Sequence, residues 1–200
     1  MKQKTVVFDF DGTLTTTDTT KFLFLILLLF KPAAVKSVIA FYRSGNASIQ
    51  KQKCDATTAL IQGCSVDKID KRLRSFRSIC KAFMRKSMLR QLQTYLKSNY
   101  TVIIATASPS FALKHLFPDE VTIIGTEYEV INGMYSGGLT GEPCYGNQKA
   151  ILIKEYLSKN TDMSIESAYS DDRSDLPMLM LAENGYLVDK KGTLTKVENV

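Results

Sequence analysis

Two hundred residues, 44% hydrophobic and 23% charged, can bury one substantial core and leave chain for an insertion or a small second domain. That balance excludes an intrinsically disordered chain and one embedded in a membrane. The net charge of +6 favours anionic partners, whether phosphate esters, nucleic acid or acidic lipid head groups, and chooses none of them.

Residues 4–10 (KTVVFDF) are a short β-branched run that ends in acids and then Gly12, which predicts a buried strand followed by a tight turn. The pattern returns at 101–106 (TVIIAT) and 121–126 (VTIIGT), and in shorter form at 167–170 (SAYS) and 185–188 (GYLV). Continuous apolar strands are buried on both faces, so the sheet is mostly parallel and covered by helices. Helices are predicted over 86–97, 110–116, 149–159 and 176–183, the last with Pro177 in its first turn. His115, the sole histidine, falls near the end of the second of these and reads as a helix-end residue. One histidine excludes any multi-histidine metal centre, so the chemistry must run on carboxylates. Between 127 and 139 the pattern changes to a hairpin, with Asn132-Gly133 as its type I′ turn.

Residues 15–84 break the alternation. The apolar run 22–30 (FLFLILLLF) stops at Lys31-Pro32, and a helix follows from about Asp67, with Ile69, Leu73, Phe76, Cys80 and Phe83 on one face. This predicts an all-helical insertion over the C-terminal end of the first strand, between a core of 1–14 and 85–200. The polar stretch before residue 22 argues against a secretory signal. Cys54, Cys64, Cys80 and Cys144 lack CxxC or zinc spacing, so reduced thiols and a cytoplasmic compartment are expected.

Ligands of open α/β sheets bind at the carboxyl ends of strands. The polar residues predicted there are Asp9, Asp11, Gly12 and Thr13, then Thr106, Ala107 and Ser108, then Asp171, Asp172 and Asp175, with Lys149 opening a helix. Carboxylates gathered in one cleft repel one another; Lys149 and a divalent cation resolve this, and oxygen ligands point to Mg²⁺. Asp9 and Asp11, two apart on a strand, share a face, which suits a nucleophile and a separate general acid/base. Thr106 and the amides of Ala107 and Ser108 can hold phosphate oxygens, and Lys149 can offset their charge.

These elements resemble the haloacid dehalogenase superfamily of phosphatases. Asp9-Phe10-Asp11-Gly12-Thr13-Leu14-Thr15 looks like its first motif, Thr106 its second, Lys149 its third, and Asp171 with Asp175 its fourth. The resemblance implies a Rossmann-like three-layer α/β/α core with a type-one helical cap at 15–84. It further implies a Mg²⁺-dependent phosphomonoesterase working through an aspartyl-phosphate on Asp9. Asp11 is then the general acid/base, and Asp9, Asp11 (through its carbonyl) and Asp171 hold the metal, assisted by Asp175. Asp172 replaces a small residue usual in the family and is expected beside the metal shell or at the surface.

Among subgroups, the chain looks most like the one containing phosphoserine phosphatase and the phosphatidylglycerophosphatase C-type enzymes. Residues 15–30 lack the Glu and Arg that grip an amino acid there and offer Asp18 and Lys21 instead. A lipid phosphate such as phosphatidylglycerophosphate is therefore the leading substrate expectation, with a soluble small phosphomonoester second. Run 22–30 is too short to span a bilayer and reads as a buried cap helix or as a surface meeting lipid. Lys68, Lys71, Arg72, Arg74, Arg77, Lys81, Arg85, Lys86 and Arg90 read as a basic helix beside it, suited to acidic head groups. Peripheral membrane contact is thus in view, and no nucleic-acid partner is expected. A phospho-acceptor or binding module on the same fold is the non-enzyme alternative; the DxD pair on the first strand and the large helical insertion argue against it.

Overall fold

A computed structural model describes residues 3–43, 49–160 and 163–198. Its centre is a six-stranded sheet in the order β3-β2-β1-β6-β7-β8. The strands are β1 (Gln3–Phe8), β2 (Thr101–Pro109), β3 (Val121–Thr126), β6 (Met163–Ser170), β7 (Asn184–Val188) and β8 (Leu194–Lys196). β1, β2, β3, β6 and β7 are parallel, and β8 joins antiparallel to β7. Alternation along β1 divides the core. Val6 and Phe8 face one side with Val102, Ile104 and Tyr169, against Met88 and Leu92 of α5 (Lys86–Lys97). Val7 faces the other with Ile103 and Ala168, against Ile153 of α7 (Asn147–Lys159) and Met178 of α8 (Leu176–Leu179). Each such Val, Leu, Ile, Phe or Met side chain, fully removed from water, contributes about 1.5–3 kcal/mol. The result is the expected three-layer α/β/α core.

The strand predicted to reach residue 10 ends at Phe8, and those predicted at 101–106 and 167–170 run longer. The short helix α6 (Ser110–Leu113) stops before His115, which has φ 64° in a left-handed turn. Regular helix also ends at Leu179, with single turns continuing to Ala182.

Between Thr15 and Met84 lie α1 (Thr20–Leu28), α2 (Val35–Arg43), α3 (Ile49–Ile61) and α4 (Val66–Ala82). Their core of Leu23, Phe24, Leu27, Leu60, Leu73 and Phe76 is continuous with the first face of the sheet. Phe83 is not part of it: half-exposed, it stacks on Phe22 at 5.1 Å. The nine basic residues read as one helix are divided between α4, the link at Arg85 and α5, and Arg77 and Arg85 are buried. Arg77 pairs with Asp70 at 2.6 Å.

Two sets of backbone bonds tie this segment down. At its ends Thr15 bridges Met84, the Thr16 amide donates to Phe83 (2.9 Å), and the Arg85 amide donates to Leu14 (2.7 Å). At its far side the hairpin of β4 (Tyr128–Ile131) and β5 (Met134–Leu139) pairs with the α3–α4 loop. Gly63 and Tyr135, Tyr135 and Cys64, and Val66 and Gly133 are joined at 2.8–3.0 Å. Asn132 (φ 50°) and Gly133 (φ 76°) have the left-handed angles that the type I′ turn requires.

Candidate active site

The cleft forms where β1 stops. The Asp9 amide still pairs with Tyr169 of β6 (2.9 Å), after which fully buried Phe10 anchors a wide turn over Phe10–Leu14. Asp11 is therefore on this turn and not on the strand, so its side chain is aimed by the turn and by tertiary contacts. Its Oδ1 accepts from the amide and hydroxyl of Thr19, each at 2.7 Å, and its Oδ2 accepts from the Ser108 hydroxyl at 2.7 Å. Asp11 thus links the start of α1 to the end of β2.

Gly12 follows at φ +83°, and a Cβ there would lie 2.0 Å from Asp171 Oδ2. The turn is pinned to Asp171 by Thr13, whose hydroxyl accepts from the Asp171 amide (2.8 Å) and donates to Asp171 Oδ1 (3.2 Å). It is pinned again by buried Arg85, which donates to the carbonyls of Gly12 (2.9 Å), Thr13 (3.2 Å) and Lys190 (3.0 Å). Gly12→Ala should therefore displace Asp171 and strain the backbone by about 1–2 kcal/mol. A misplacement of about 1 Å at such a site costs on the order of 100-fold. Phosphate release by the variant, measured beside its melting temperature, checks this.

Lys149, in the first turn of α7, reaches the cleft floor and donates to Asp9 Oδ1 and Asp175 Oδ2, both at 2.6 Å. All three side chains are buried. Asp175 also accepts from the Ser170 hydroxyl at 2.7 Å, while its buried Oδ1 has no partner among the described residues. Burial pushes the Asp9 carboxyl up to about 7 against the pull of Lys149, with Asp175 adding to the rise. Burial alone would lower Lys149, but Asp9 and Asp175 outweigh it and hold the ammonium above its ordinary value.

Thr106 and Ala107 also line the cleft, and Ser108 donates its amide to the Thr106 hydroxyl (3.0 Å). Asp172 stands at the rim, exposed, with its carboxylate accepting from the Ser174 amide (2.8 Å). The structure thus brings Asp9, Asp11, Thr106, Ala107, Lys149, Asp171 and Asp175 onto one cleft of about 220 Å³, with Ser108 behind it.

The helical segment contributes lining residues that the motifs do not contain: Asp18, Gln50 and Lys53. Lys53 is buried and donates to the Ser108 hydroxyl at 3.4 Å. Burial alone would raise Asp18, but Lys53 and the Thr20 amide hold its carboxyl below the usual range. A signal for Lys53 exists in the sequence: it shares a helix face with Thr57, Leu60 and Ile61, at i, i+4, i+7 and i+8, all buried. Arg85, read as part of a basic surface, carried no signal for its place beneath Gly12.

Among the described residues no three His, Cys or acidic side chains converge as a ready-made metal cage. Asp9 and Asp171 both line the cleft, Asp175 Oδ1 lacks a donor among the described residues, and Asp9 is hard to ionise without further positive charge. One or two carboxylates completed by main-chain oxygen and water is the ligand set that Mg²⁺ favours, so the residues fit it.

The cleft lies at the carboxyl ends of β1, β2 and β6, where open parallel sheets bind ligands. The family model of the haloacid dehalogenase-like hydrolases matches residues 6–180, and the chain belongs to that family. It is similar to protein CicA of Caulobacter vibrioides, 28% identical over 92% of this chain and 85% of that protein. Among solved structures, a Bordetella pertussis Tohama I protein of unknown function has a TM-score of 0.76 at 19% identity, covering 90% of this chain and 87% of that one. A phospho-aspartyl intermediate analogue of phosphoserine phosphatase has a TM-score of 0.53 at 15% identity, covering 91% and 84%.

Proposed function

We propose that the chain is a phosphomonoester hydrolase with residues 1–14 and 85–200 as catalytic core and 15–84 as cap, working in the cytoplasm. The observation that carries this reading is Asp9, a buried carboxylate at a strand end, held by Lys149 at 2.6 Å within a family of hydrolases. Asp9 attacks phosphorus and forms an acyl phosphate on its carboxylate as the bond from phosphorus to the leaving oxygen breaks. Asp11 gives that oxygen its proton. Asp11 then takes a proton from the water that attacks the phosphorus, which frees phosphate and restores Asp9. Thr106, the amides of Ala107 and Ser108, and Lys149 hold the phosphoryl oxygens. Mg²⁺ would be held by Asp9, the Asp11 carbonyl and Asp171, with Asp175 acting through Lys149; bound there, it supplies positive charge to the phosphoryl group.

A lipid phosphate such as phosphatidylglycerophosphate is the first substrate reading, supported by the apolar outer face of the cap's first two helices. The second is a soluble phosphomonoester with a charged leaving group, supported by Asp18 and Lys53 in the cleft. The phosphoserine phosphatase whose fold the chain shares is named for such a substrate. Phosphate release with Mg²⁺ or with chelator, from soluble esters and detergent-dispersed lipid phosphates, separates the two. No Mg²⁺-dependent release from any phosphomonoester would sink the proposal. On either reading Lys53→Met should raise KM about 10- to 100-fold and change kcat less, as loss of a hydrogen bond to a charged group predicts. Steady-state kinetics on the best substrate checks it.

A further inference from the structure

We propose that the outer face of the α1–α2 hairpin docks on an anionic lipid bilayer. Phe24 of α1 packs edge-to-face on Phe41 of α2 at 5.2 Å, so the two helices, joined by the turn at Pro32–Ala34, meet through these rings. Their inner faces supply Leu23, Leu27 and Val38 to the core. Their outer faces are apolar as well. Leu25 (60% exposed) and Leu29 (71%) are one helical turn apart, as are Val35 and Ile39, with Tyr42 (59%) three residues further on. Phe30, also exposed, follows Leu29 in the chain. Single exposed apolar residues are ordinary; rows at helical spacing on two adjoining helices mark a contact surface.

Charge selects the occupant. Between Asp18 and Asp55 the sequence has no acid and six Lys or Arg. Lys36 and Arg43 are exposed on α2, and the Arg72 guanidinium of α4 lies 3.7 Å from the centre of the exposed Phe30 ring. Apolar rows bordered by the exposed cations Lys36 and Arg43 complement anionic head groups above acyl chains. A second copy is disfavoured, because a two-fold contact through this face brings the same cations together. With nine residues each, neither helix can cross a bilayer, and among the described residues no helix is long and apolar enough to do so. The hairpin therefore lies in the interfacial plane. Asp18 lines the catalytic cleft and also the groove bounded by Lys21, Phe41 and Tyr42, so a docked hairpin sets that cleft near the head groups. Docking does not depend on the catalytic proposal, since no substrate is needed to observe it.

The test is sedimentation of the full chain with phosphatidylcholine vesicles, with and without phosphatidylglycerol. Binding at least about tenfold stronger to the anionic vesicles, and weakening as salt rises, is expected. Leu29→Asp with Ile39→Asp should lose that binding by about tenfold or more and keep the wild-type melting temperature and turnover of p-nitrophenyl phosphate. Should this pair fail to fold, Lys36→Glu with Arg43→Glu carries the same expectation on polar surface positions. Absence of wild-type binding to anionic vesicles overturns the proposal, as does undiminished binding by folded variants. So does a wild-type dimer that the Asp pair converts to monomer while neither binds vesicles.

Discussion

Asp9→Asn is expected to abolish phosphate release, with a loss in kcat of at least ~10³-fold, the scale on which removing a nucleophile acts. The substitution is nearly isosteric, and the amide oxygen can still accept from Lys149, now 2.6 Å from Oδ1. What disappears is the carboxylate proposed to attack phosphorus. Stability should not fall with it. Asp9 is a carboxyl whose folded value, about 7, lies above its unfolded one, so folding loses stability as pH rises from acid toward neutrality. An amide has no such cost, and the variant should melt at or above the wild-type temperature at neutral pH. Single-turnover phosphate release beside a melting curve separates lost chemistry from lost fold. Wild-type turnover in a correctly folded Asp9→Asn would end the aspartyl-phosphate mechanism.

Lys149→Met should be damaging in a different way. Lys149 is the cation between two buried carboxylates, and Met keeps much of its volume while removing both 2.6 Å ion pairs. Breaking a buried pair by removing one partner typically costs about 3–5 kcal/mol, because a charge is left uncompensated. The sign of the pH dependence follows. Without Lys149 the Asp9 carboxyl moves further above its unfolded value, so the variant is least destabilised in mild acid and increasingly so as pH rises. Urea melts in chelator at mildly acidic and mildly alkaline pH would show this, and a deficit constant across that range would refute it. Activity should fall with stability, since Asp9 loses the group that positions it.

The two expectations differ in how far the sequence alone supports them. Asp9 is legible because it ends KTVVF, a run whose apolar residues are buried on both faces of the sheet. The parallel strands, α5, and the Asn132-Gly133 turn are legible for the same kind of reason: each is encoded by neighbouring residues through periodicity or turn chemistry. β8 was not, because Leu194–Lys196 is exposed throughout and three residues give no period to read. The helix at 110 ends earlier than its pattern, before His115 turns left-handed (φ 64°), and beyond the helix at 176 the chain turns to tertiary contacts. The Glu183 amide, for example, pairs with Ile165 of β6.

The sequence by itself determined the class of chemistry: carboxylates at strand ends, one lysine, a single histidine and a helical segment after the first strand. Local order is enough for that, since chain direction in a parallel sheet puts every strand's polar end on one side. Tertiary structure decided how those carboxylates are held. It placed Asp9 and Asp175 on the two sides of Lys149, and tied Asp11 to Thr19 and Ser108. It also set Arg85 beneath Gly12 and brought Lys53 to the cleft from α3. These contacts join residues up to 140 positions apart. Burial fixes their geometry, because a charged group removed from water must find its partner wherever the fold supplies one.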